Sequence, residues 1–329
     1  MIAVEISEPG PPHVLRPVDR PLPVLEPGEI LIRVVAVGVA RADLLQRLGK
    51  YPPPPGTTDI PGLDVAGTVA ALSEGVDQFK IGDPVCAILA GGGYAEFCSV
   101  PAVQVLPIPK NWTSVEAASL PENLFTVFDN LVTRGQLQRG ETLLIHGGGS
   151  GIGTMAIMLS RAIGAIPLVT AGSEAKCAAC LSLGAEHAIN YKTADFLAET
   201  RRLTGGRGVD VILDMVGGPY LERNVSLLAT EGRLVLIAFS GGAVGSLDLR
   251  VLFARRARIL ASTMRARSPE QKGLVAQRLL RDVWPLLPAK EPIRPVVDRT
   301  FPLRDAALAH EYLENTTRIG KVVLVVETS

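Results

Sequence analysis

Apolar residues follow two different patterns along the chain, and the pattern changes after the first third. In that first third, short β-branched runs alternate with turns, which predicts strands at 29–37 and 65–72 and an apolar run after a turn in 81–89. Tyr51 is followed by four prolines, 52–55, which exclude helix and central strand and predict a stiff, extended loop. This pattern is typical of a small, irregular β barrel or sandwich.

From residue 122 onward, helical and strand-like segments alternate. Continuous apolar runs predict strands, and runs with helical spacing predict helices. The predicted strands are 142–146, 166–171, 209–214 and 233–239, and the predicted helices are 124–133, 154–163 and 176–183. Alternation of this kind, with strands apolar on both faces, predicts an α/β fold whose parallel sheet is covered by helices on both sides.

The distribution of proline agrees with this change of pattern. Residues 1–121 contain 17 of the 25 prolines, 122–264 contain 2 and 265–329 contain 6. Helix interiors and central strands exclude proline. We therefore expect one discontinuous domain, 1–121 with 265–329, and a second domain, 122–264, inserted into it. A first third that is merely loop-rich is the alternative interpretation.

The overall composition is that of a globular protein without a charge bias. Among 329 residues, 33 are basic and 33 acidic, so binding of nucleic acid or a membrane surface by bulk electrostatics is not expected. Four cysteines are too few for a disulfide framework and predict a reducing, cytoplasmic compartment. No apolar run approaches the roughly 20 residues that span a bilayer, and no secretory signal is expected at the N-terminus.

The strongest chemical signal is a glycine run between a predicted strand and a predicted helix. Residues 147–153 read Gly-Gly-Gly-Ser-Gly-Ile-Gly. Glycine lets a backbone approach a pyrophosphate closely, and a helix N-terminus adds N–H groups and partial positive charge. We therefore predict a dinucleotide site that includes Gly148, Gly149, Ser150, Gly151, Ile152 and Gly153. The alternative is a flexible structural turn, whereas a P-loop is excluded because no Gly-Lys-Ser/Thr follows.

The end of the second predicted strand indicates which nicotinamide cofactor binds. An NAD site usually has an acidic residue there to bind the ribose hydroxyls. Here the strand tip is Gly172, which is small and uncharged, and Ser173 and Lys176 follow it. Glu174 lies three residues past Ala171, the last residue of the predicted strand. These residues predict NADPH rather than NADH, and the alternative for Lys176 is an ordinary surface lysine.

Several stretches spread over nearly the whole chain carry a family resemblance. They are 41–44 with 46–47, 49–55, 91–93, 145–153, 165–173, 190–192, 212–214 with 217–218, and 319–324. In this order they resemble the medium-chain dehydrogenase/reductase superfamily, in which a GroES-like catalytic domain surrounds an inserted Rossmann domain. The chain is most similar to the zinc-free quinone oxidoreductases, and among them to the tumour-suppressor-inducible group related to zeta-crystallin.

This resemblance implies NADPH-dependent hydride transfer to a quinone or similar conjugated carbonyl in a cleft between the domains, and it implies a homodimer. The residues implied at the cofactor are the glycine loop, Ser173, Lys176 and Tyr191, with Thr126 near the nicotinamide ribose and Phe239 and Ser240 along the nicotinamide. Packing is the alternative for Tyr191 and Phe239, and a helix-face position is the alternative for Thr126. Tyr51 would flank the substrate and is the candidate proton donor.

The resemblance has one departure and leaves two other functions open. Ala40 stands where the family usually has asparagine near the substrate, while Asp43 remains as a candidate catalytic group or a structural acceptor. A reductase of enones or enoyl thioesters and a non-catalytic NADPH-binding protein are the alternatives.

No metal site is expected from the sequence. Ala40 and Leu63-Asp64 stand where zinc enzymes of the superfamily carry ligands. The cysteines of Cys177-x-x-Cys180 are expected to pack on one helix face, with a redox or metal pair as the alternative. His146 is expected to be structural. Arg265 and Arg267, near the predicted domain boundary, are expected on a solvated face, with contact to an anionic or quinone substrate or to a partner as the alternative.

Overall fold

The computed structural model describes residues 1–287, 293–315 and 317–327. The chain divides into two compact units, Met1–Phe125 with Met264–Ser329, and Thr126–Thr263. The limits expected from the sequence, 1–121 with 265–329 and 122–264, differ from these by a few residues and remain a prediction of the domain boundaries.

The first unit is a largely antiparallel β structure with short helices at its margins. Its larger sheet has the spatial order Val297–Pro302, Lys321–Val325, Glu29–Val39, Asp64–Leu72, Pro84–Ile88 and Val105–Pro107, and Phe97–Pro101 also pairs with Glu29–Val39. A separate pair is formed by Ile2–Ile6 and Leu15–Asp19. The helices are Arg41–Arg47, Ser114–Ala117, Pro269–Asp282 and Ala306–Asn315, and the helix Pro121–Phe128 crosses the limit between the units.

The strands of the first unit lie where the apolar runs predict them. The runs 29–37, 65–72 and 81–89 fall on Glu29–Val39, Asp64–Leu72 and Pro84–Ile88. Their β-branched side chains form a buried cluster that includes Val34, Val65 and Val85. The proline segment after Tyr51 is neither helix nor strand, as predicted.

The second unit is a parallel sheet with helices between its strands. The order across the sheet is His187–Asn190, Ile166–Ala171, Thr142–His146, Val209–Asp214, Leu228–Leu236 and Arg258–Ala261, and every neighbouring pair is parallel. The helices are Gly151–Ile163, Glu174–Ser182, Phe196–Leu203, Leu221–Leu227 and Leu249–Arg255, and a π-helical segment covers Asp129–Arg134. Counted from the first strand, the order 3-2-1-4-5-6 is that of the Rossmann fold, which confirms the predicted fold class.

Three strands of this sheet have the predicted limits, whereas other boundaries needed correction. The predicted strand 233–239 is instead Leu228–Leu236, because its pairing with Val209–Asp214 ends where Asp214 meets Leu236. The predicted helix 154–163 begins earlier, at Gly151, because Ser150 caps it, and Gly164 ends it with a φ of 88°. The predicted helix 176–183 is Glu174–Ser182, because Ser173 caps it. Within the described residues, no helix combines the length and apolar character needed to cross a bilayer.

Candidate functional site

The glycine loop of the second unit follows the strand Thr142–His146 and is packed so closely that side chains would not fit. A Cβ at Gly153 would lie 2.3 Å from the carbonyl oxygen of Gly147, and a Cβ at Gly148 would lie 2.8 Å from the Cβ of Val169. Gly147 has a φ of 74°, in the left-handed region that favours glycine. The backbone of the loop is therefore bare on its outer side, as a pyrophosphate site requires.

Backbone N–H groups of this loop are available to an anion. Ser150 Oγ accepts a hydrogen bond from Gly153 N at 3.0 Å and lies 2.8 Å from the carbonyl oxygen of Gly147. Its hydroxyl is thus used inside the loop, so a phosphate would be bound by the backbone. Among the hydrogen bonds of the described residues, none has the N–H of Gly149, Gly151 or Ile152 as donor. Unpaired N–H groups are expected in the first turn of a helix, and they favour a negative charge.

Two side chains predicted at the 2′-phosphate lie against glycines of this edge of the sheet. A Cβ at Gly149 would lie 3.2 Å from Lys176 Cδ, so the lysine stem passes over the glycine loop. A Cβ at Gly172 would lie 2.8 Å from the hydroxyl oxygen of Tyr191. Gly172 and Tyr191 follow the carboxyl ends of neighbouring parallel strands, and Tyr191 N donates to Ala171 O at 3.1 Å. The structure therefore brings Lys176 and Tyr191 to the same edge as the loop.

Ser173 and Glu174 have defined partners at the start of the next helix. Ser173 Oγ accepts a hydrogen bond from Lys176 N at 3.3 Å and so caps the helix Glu174–Ser182. Asn190 Nδ2 donates to Glu174 Oε1 at 2.6 Å. Glu174, the acidic candidate near this strand tip, is thus engaged with an amide.

Met215 is a part of this region that the sequence interpretation missed. It follows the strand Val209–Asp214, and its Sδ lies 3.8 Å from Ser150 Oγ. The carbonyl oxygen of Met215 accepts hydrogen bonds from Ser240 N at 3.0 Å and from Ser240 Oγ at 2.7 Å. Met215 thus connects the glycine loop with Ser240. Its position directly after a buried strand was the available sequence signal.

The other two predicted nicotinamide contacts have different surroundings. Phe239 lies three residues past its strand and is 67% exposed, so it is not a core residue. A Cβ at Gly217 would lie 2.7 Å from the Cβ of Phe239, which places the start of that side chain beside the loop after Asp214. The carbonyl oxygen of Thr126 accepts a hydrogen bond from Asn130 Nδ2 at 2.8 Å, and its side chain is half-buried. The roles of both residues at a nicotinamide stay predictions.

In the first unit, Asp43 is a buried brace between two backbone segments. Its Oδ2 accepts a hydrogen bond from Ala40 N at 2.7 Å, and its Oδ1 accepts one from Gly62 N at 3.0 Å. Burial raises the pKa of Asp43 to about 6, although the hydrogen bond from Ala40 opposes the shift. Asp43 is 1% exposed. These contacts favour the structural alternative for Asp43 over direct contact with substrate.

Asp43 also ends a chain of buried polar groups. Arg47 Nη1 lies 3.4 Å from His310 Nδ1, and His310 Nε2 lies 2.8 Å from Tyr94 Oη. Because arginine can only donate, His310 accepts through Nδ1 and carries its proton on Nε2, which donates to Tyr94. Tyr94 then donates to Asp43 Oδ2 at 3.5 Å. Burial lowers the pKa of His310 to about 3, so this ring is neutral.

A second buried cluster joins Asp64, Glu122 and Lys321. Lys321 Nζ lies 2.7 Å from Asp64 Oδ2 and 3.4 Å from Glu122 Oε2, and Glu122 N donates to Asp64 Oδ1. Burial alone would lower the pKa of Lys321, but the two carboxylates outweigh it and raise that pKa. This ion pair was not predicted from the sequence. A lysine beginning the Val-rich strand Lys321–Val325 was the available signal.

Tyr51 lies beneath a buried arginine of the same unit. The guanidinium carbon of Arg265 is 5.2 Å from the centre of the Tyr51 ring, and Arg265 Nη1 donates to Tyr51 O at 3.3 Å. Burial raises the pKa of Tyr51, although the charge of Arg265 opposes the shift. The phenol is therefore protonated at neutral pH and can donate a proton or a hydrogen bond.

The groups considered for metal or redox chemistry are engaged in packing. Within the described residues, no three His, Cys, Asp or Glu side chains are grouped in a way that could hold a metal ion. Ala40 has no ligand atom in its side chain, and Asp64 is paired with Lys321, so these positions do not fit zinc. Cys177 and Cys180 are buried free thiols on the helix Glu174–Ser182.

His146, which ends the strand before the glycine loop, has the surroundings of a structural residue. Its Nδ1 lies 3.0 Å from Thr170 Oγ1, and its Nε2 lies 2.8 Å from Asn224 Oδ1. The imidazole also meets the rings of Phe196 and Tyr220 edge-on. Burial lowers its pKa to about 4, so the ring is neutral and both nitrogens have partners.

Comparison with known protein families gives matches that agree with the folds of both units. Residues 26–110 match the family described as alcohol dehydrogenase GroES-like domain, and residues 151–279 match the family described as zinc-binding dehydrogenase. The chain is 31% identical to the quinone oxidoreductase of Rattus norvegicus, over 99% of this chain and 98% of that protein. These features define a medium-chain dehydrogenase/reductase.

Solved structures of similar proteins match this chain over nearly its full length. A mycobacterial protein, Rv1454c, solved in complex with NADPH, is 31% identical with a TM-score of 0.86 and covers 99% of this chain and 100% of its own. An NAD-dependent alcohol dehydrogenase is 32% identical with a TM-score of 0.86 and covers 99% and 100%. The chain belongs to the quinone oxidoreductase family of the medium-chain dehydrogenases/reductases. Its predicted similarity to the tumour-suppressor-inducible group within this family stays a prediction.

Proposed function

We propose that this protein is an NADPH-dependent oxidoreductase that reduces a quinone or a similar conjugated carbonyl without zinc. When bound, the nicotinamide supplies a hydride, so a quinone, NADPH and one proton become a hydroquinone and NADP⁺. The rat relative is a quinone oxidoreductase, and the mycobacterial relative was solved with NADPH. Because an NAD-dependent relative is equally similar, the choice of cofactor is argued from this chain's own residues.

The placement of Lys176 carries the proposal for NADPH. Its stem lies over Gly149, and it follows a strand tip whose nearest carboxylate, Glu174, accepts a hydrogen bond from Asn190. An ammonium beside unpaired loop N–H groups attracts a phosphate, whereas a ribose diol would need an acceptor such as a free carboxylate. Ser173 and Tyr191 would complete the 2′-phosphate site.

Residues of the first unit would act on the substrate. Tyr51 would flank it and donate a proton to the oxygen that gains negative charge, since its phenol stays protonated at neutral pH. Asp43 would act indirectly, by fixing the backbone of Ala40 and Gly62. Water can also supply this one proton, so no further acid is required of the protein.

The cofactor proposal is tested by measuring NADPH and NADH binding in the wild type and in Lys176→Ala. We expect the variant to lose about 10- to 100-fold of NADPH affinity, the range of one charge-assisted hydrogen bond, and less than about threefold of NADH affinity. The exposed Lys110→Ala is the matched control and should change neither. Equal loss of both cofactors would refute the phosphate role of Lys176, and tighter binding of NADH by the wild type would refute the cofactor choice.

Turnover separates the proposed activity from its two alternatives. NADPH oxidation is followed with a panel of ortho- and para-quinones, enones and enoyl thioesters. Preferred reduction of quinones supports the proposal, and preferred reduction of an enone or enoyl thioester supports the first alternative. Tight NADPH binding without turnover on any member supports a non-catalytic NADPH-binding protein.

We also propose that the protein is a homodimer formed through the edge of the parallel sheet. Within the described residues, the edge strand Arg258–Ala261 is paired on one side only, with Leu228–Leu236, and Ile259 in it is 37% exposed. Leu249 and Phe253, on the helix just before this strand, are 67% and 86% exposed. An unpaired strand edge beside apolar side chains favours pairing with a second copy. Native mass spectrometry tests this state, and a monomer at micromolar concentration would refute it.

The cytoplasmic location stays a prediction from cysteine usage.

A further inference from the structure

Asn224 is a fully buried amide in the helix Leu221–Leu227, and both ends of its side chain have partners. Its Nδ2 donates to Asp214 Oδ2 at 3.2 Å, and its Oδ1 lies 2.8 Å from His146 Nε2. A carboxylate only accepts hydrogen bonds, so Asp214 fixes the orientation of the amide, and the amide oxygen accepts from His146 Nε2. Asn224 therefore joins the last residues of two neighbouring parallel strands of the sheet.

The Asp214 carboxylate also holds the loop that follows its strand, residues 215–217, here called the central loop. Asp214 Oδ1 accepts a hydrogen bond from Val216 N at 2.6 Å, and Oδ2 accepts one from Gly217 N at 3.2 Å. Gly217 has a φ of 87°, in the left-handed region that favours glycine. The carboxylate thus stabilises a specific backbone conformation of the central loop, and Asn224 keeps that carboxylate in one orientation.

The central loop packs between two segments that were assigned to the cofactor. A Cβ at Gly147 would lie 2.8 Å from Met215 Sδ, so the central loop contacts the glycine loop. The carbonyl oxygen of Val216 accepts a hydrogen bond from Gly241 N at 2.8 Å. This bond ties the central loop to the segment 239–242, which contains both residues predicted along the nicotinamide.

The glycine loop and the central loop flank the point where the strand order of the sheet reverses. In the order 3-2-1-4-5-6, the glycine loop follows strand 1 and the central loop follows strand 4, which is its neighbour. Ligands of such sheets bind at this point, outside the carboxyl ends of the strands. Lys176 and Tyr191 lie past strands 2 and 3, on the other side of the glycine loop. A dinucleotide whose 2′-phosphate they bind would therefore direct its nicotinamide half towards the central loop.

We propose that Asn224 is a positioning residue for the nicotinamide half of the cofactor. By donating to Asp214, it fixes the carboxylate that holds the central loop, and that loop supports the nicotinamide half between the glycine loop and the segment 239–242. Asn224 is enclosed and acts through Asp214. The inference rests on the proposed cofactor, NADPH, and is independent of which substrate accepts the hydride.

The test compares NADPH with 2′,5′-ADP, which carries the 2′-phosphate but lacks the nicotinamide half. Both are titrated calorimetrically into the wild type and into Asn224→Asp, which keeps the shape and the acceptor for His146 but has no N–H for Asp214. We expect this variant to lose at least about 10-fold of NADPH affinity, as for one hydrogen bond to a charged group, and less than about twofold of 2′,5′-ADP affinity. Asn224→Leu, which removes the donor without adding a charge, should show the same selective loss. Ser160→Ala removes a different buried hydrogen bond of this unit, to Ile157 O at 2.9 Å, and is the control that should change neither ligand.

A double variant, Asp214→Asn with Asn224→Asp, tests the hydrogen bond itself by exchanging its donor and acceptor. The amide introduced at 214 still has an oxygen for Val216 N and Gly217 N, both of which lie within 3.4 Å of Oδ1 in the wild type. Its nitrogen can donate to the carboxylate introduced at 224. We expect the double variant to recover NADPH affinity to within about threefold of the wild type.

The outcomes separate this inference from the proposed function. An equal loss of NADPH and 2′,5′-ADP, an unchanged NADPH affinity in the single variants, or a double variant as weak as Asn224→Asp would overturn the inference. A wild type that binds both ligands equally would also overturn it, because the nicotinamide half would then gain nothing from the central loop. Selective loss without turnover of any quinone or enone supports the inference and counts against the proposed activity alone. If NADH binds more tightly than NADPH, the cofactor choice fails, and the same comparison with NADH and AMP decides the inference.

Discussion

Replacing Lys321 by methionine tests whether the buried ion pair with Asp64 stabilises the first unit. The substitution keeps an unbranched apolar stem and removes only the ammonium, which lies 2.7 Å from Asp64 Oδ2. Lys321 is 4% exposed and Asp64 is not exposed at all, whereas Glu122 is partly exposed and can turn to water. The substitution therefore leaves the Asp64 carboxylate as an uncompensated buried charge.

The expected loss follows from that uncompensated charge and depends on pH. Removing one partner of a buried pair costs about 3–5 kcal/mol. Burial already raises the folded-state pKa of Asp64 above the ordinary aspartate value, and loss of Lys321 raises it further. A carboxyl with a raised folded-state pKa adds stability below its unfolded pKa and loses it as pH rises towards the folded value. Up to the folded-state pKa of Asp64 in the wild type, about 7, the carboxyl is protonated in both folded proteins, so the Lys321→Met defect should be small there and grow above that pH by up to about 1.4 kcal/mol per pH unit.

Urea denaturation followed by circular dichroism at pH 5 and pH 8 measures this difference. At pH 8 the double variant Asp64→Asn with Lys321→Met should recover most of the lost stability, because an amide needs no counter-charge. Lys80→Met, at an exposed lysine, should change the unfolding free energy by less than about 0.5 kcal/mol. A loss that is the same at both pH values, or a double variant as unstable as the single one, would refute the reasoning.

Three further predictions concern other buried contacts. Tyr94→Phe removes the acceptor of the His310 Nε2 proton, which lies 2.8 Å away, and should cost about 1–3 kcal/mol in urea denaturation; an unchanged midpoint would show that this hydrogen bond does not stabilise the fold. Gly153→Ala places a Cβ 2.3 Å from Gly147 O and should abolish NADPH binding by calorimetry, whereas retained affinity would show that the loop can shift. All four thiols are buried, and burial raises the pKa of Cys98 to about 12, so a thiol reagent should label the protein only after unfolding; fast labelling of the native protein would contradict this packing.

The elements that the sequence predicts best are those with purely local signals. The strands 142–146, 166–171 and 209–214 coincide with the structure because each is a short apolar run, and glycines bound or neighbour the runs. The run 233–239 was misplaced because the end of this strand depends on its partner, Val209–Asp214, rather than on its own composition.

The candidate site likewise combines parts that local sequence predicts with parts that depend on contacts between distant residues. The glycine loop could be predicted because neighbouring residues in sequence form it. The brace at Asp43 could not, because its second acceptor contact is with Gly62, 19 residues away. Met215 and Lys321 had local signals, a position after a buried strand and a charge in an apolar strand.

The order of strands in the first unit has a consequence for synthesis of the chain. Glu29–Val39 pairs along its last residues with Lys321–Val325, so Val39 meets Val322 and Val37 meets Leu324. All six strands of the parallel sheet, in contrast, come from the contiguous stretch Thr126–Thr263. On the ribosome, the parallel sheet can therefore be completed while this strand edge is still unpaired and Asp64 still lacks its lysine. A nascent chain arrested before residue 321 would expose that edge, and chaperone binding should be strongest there.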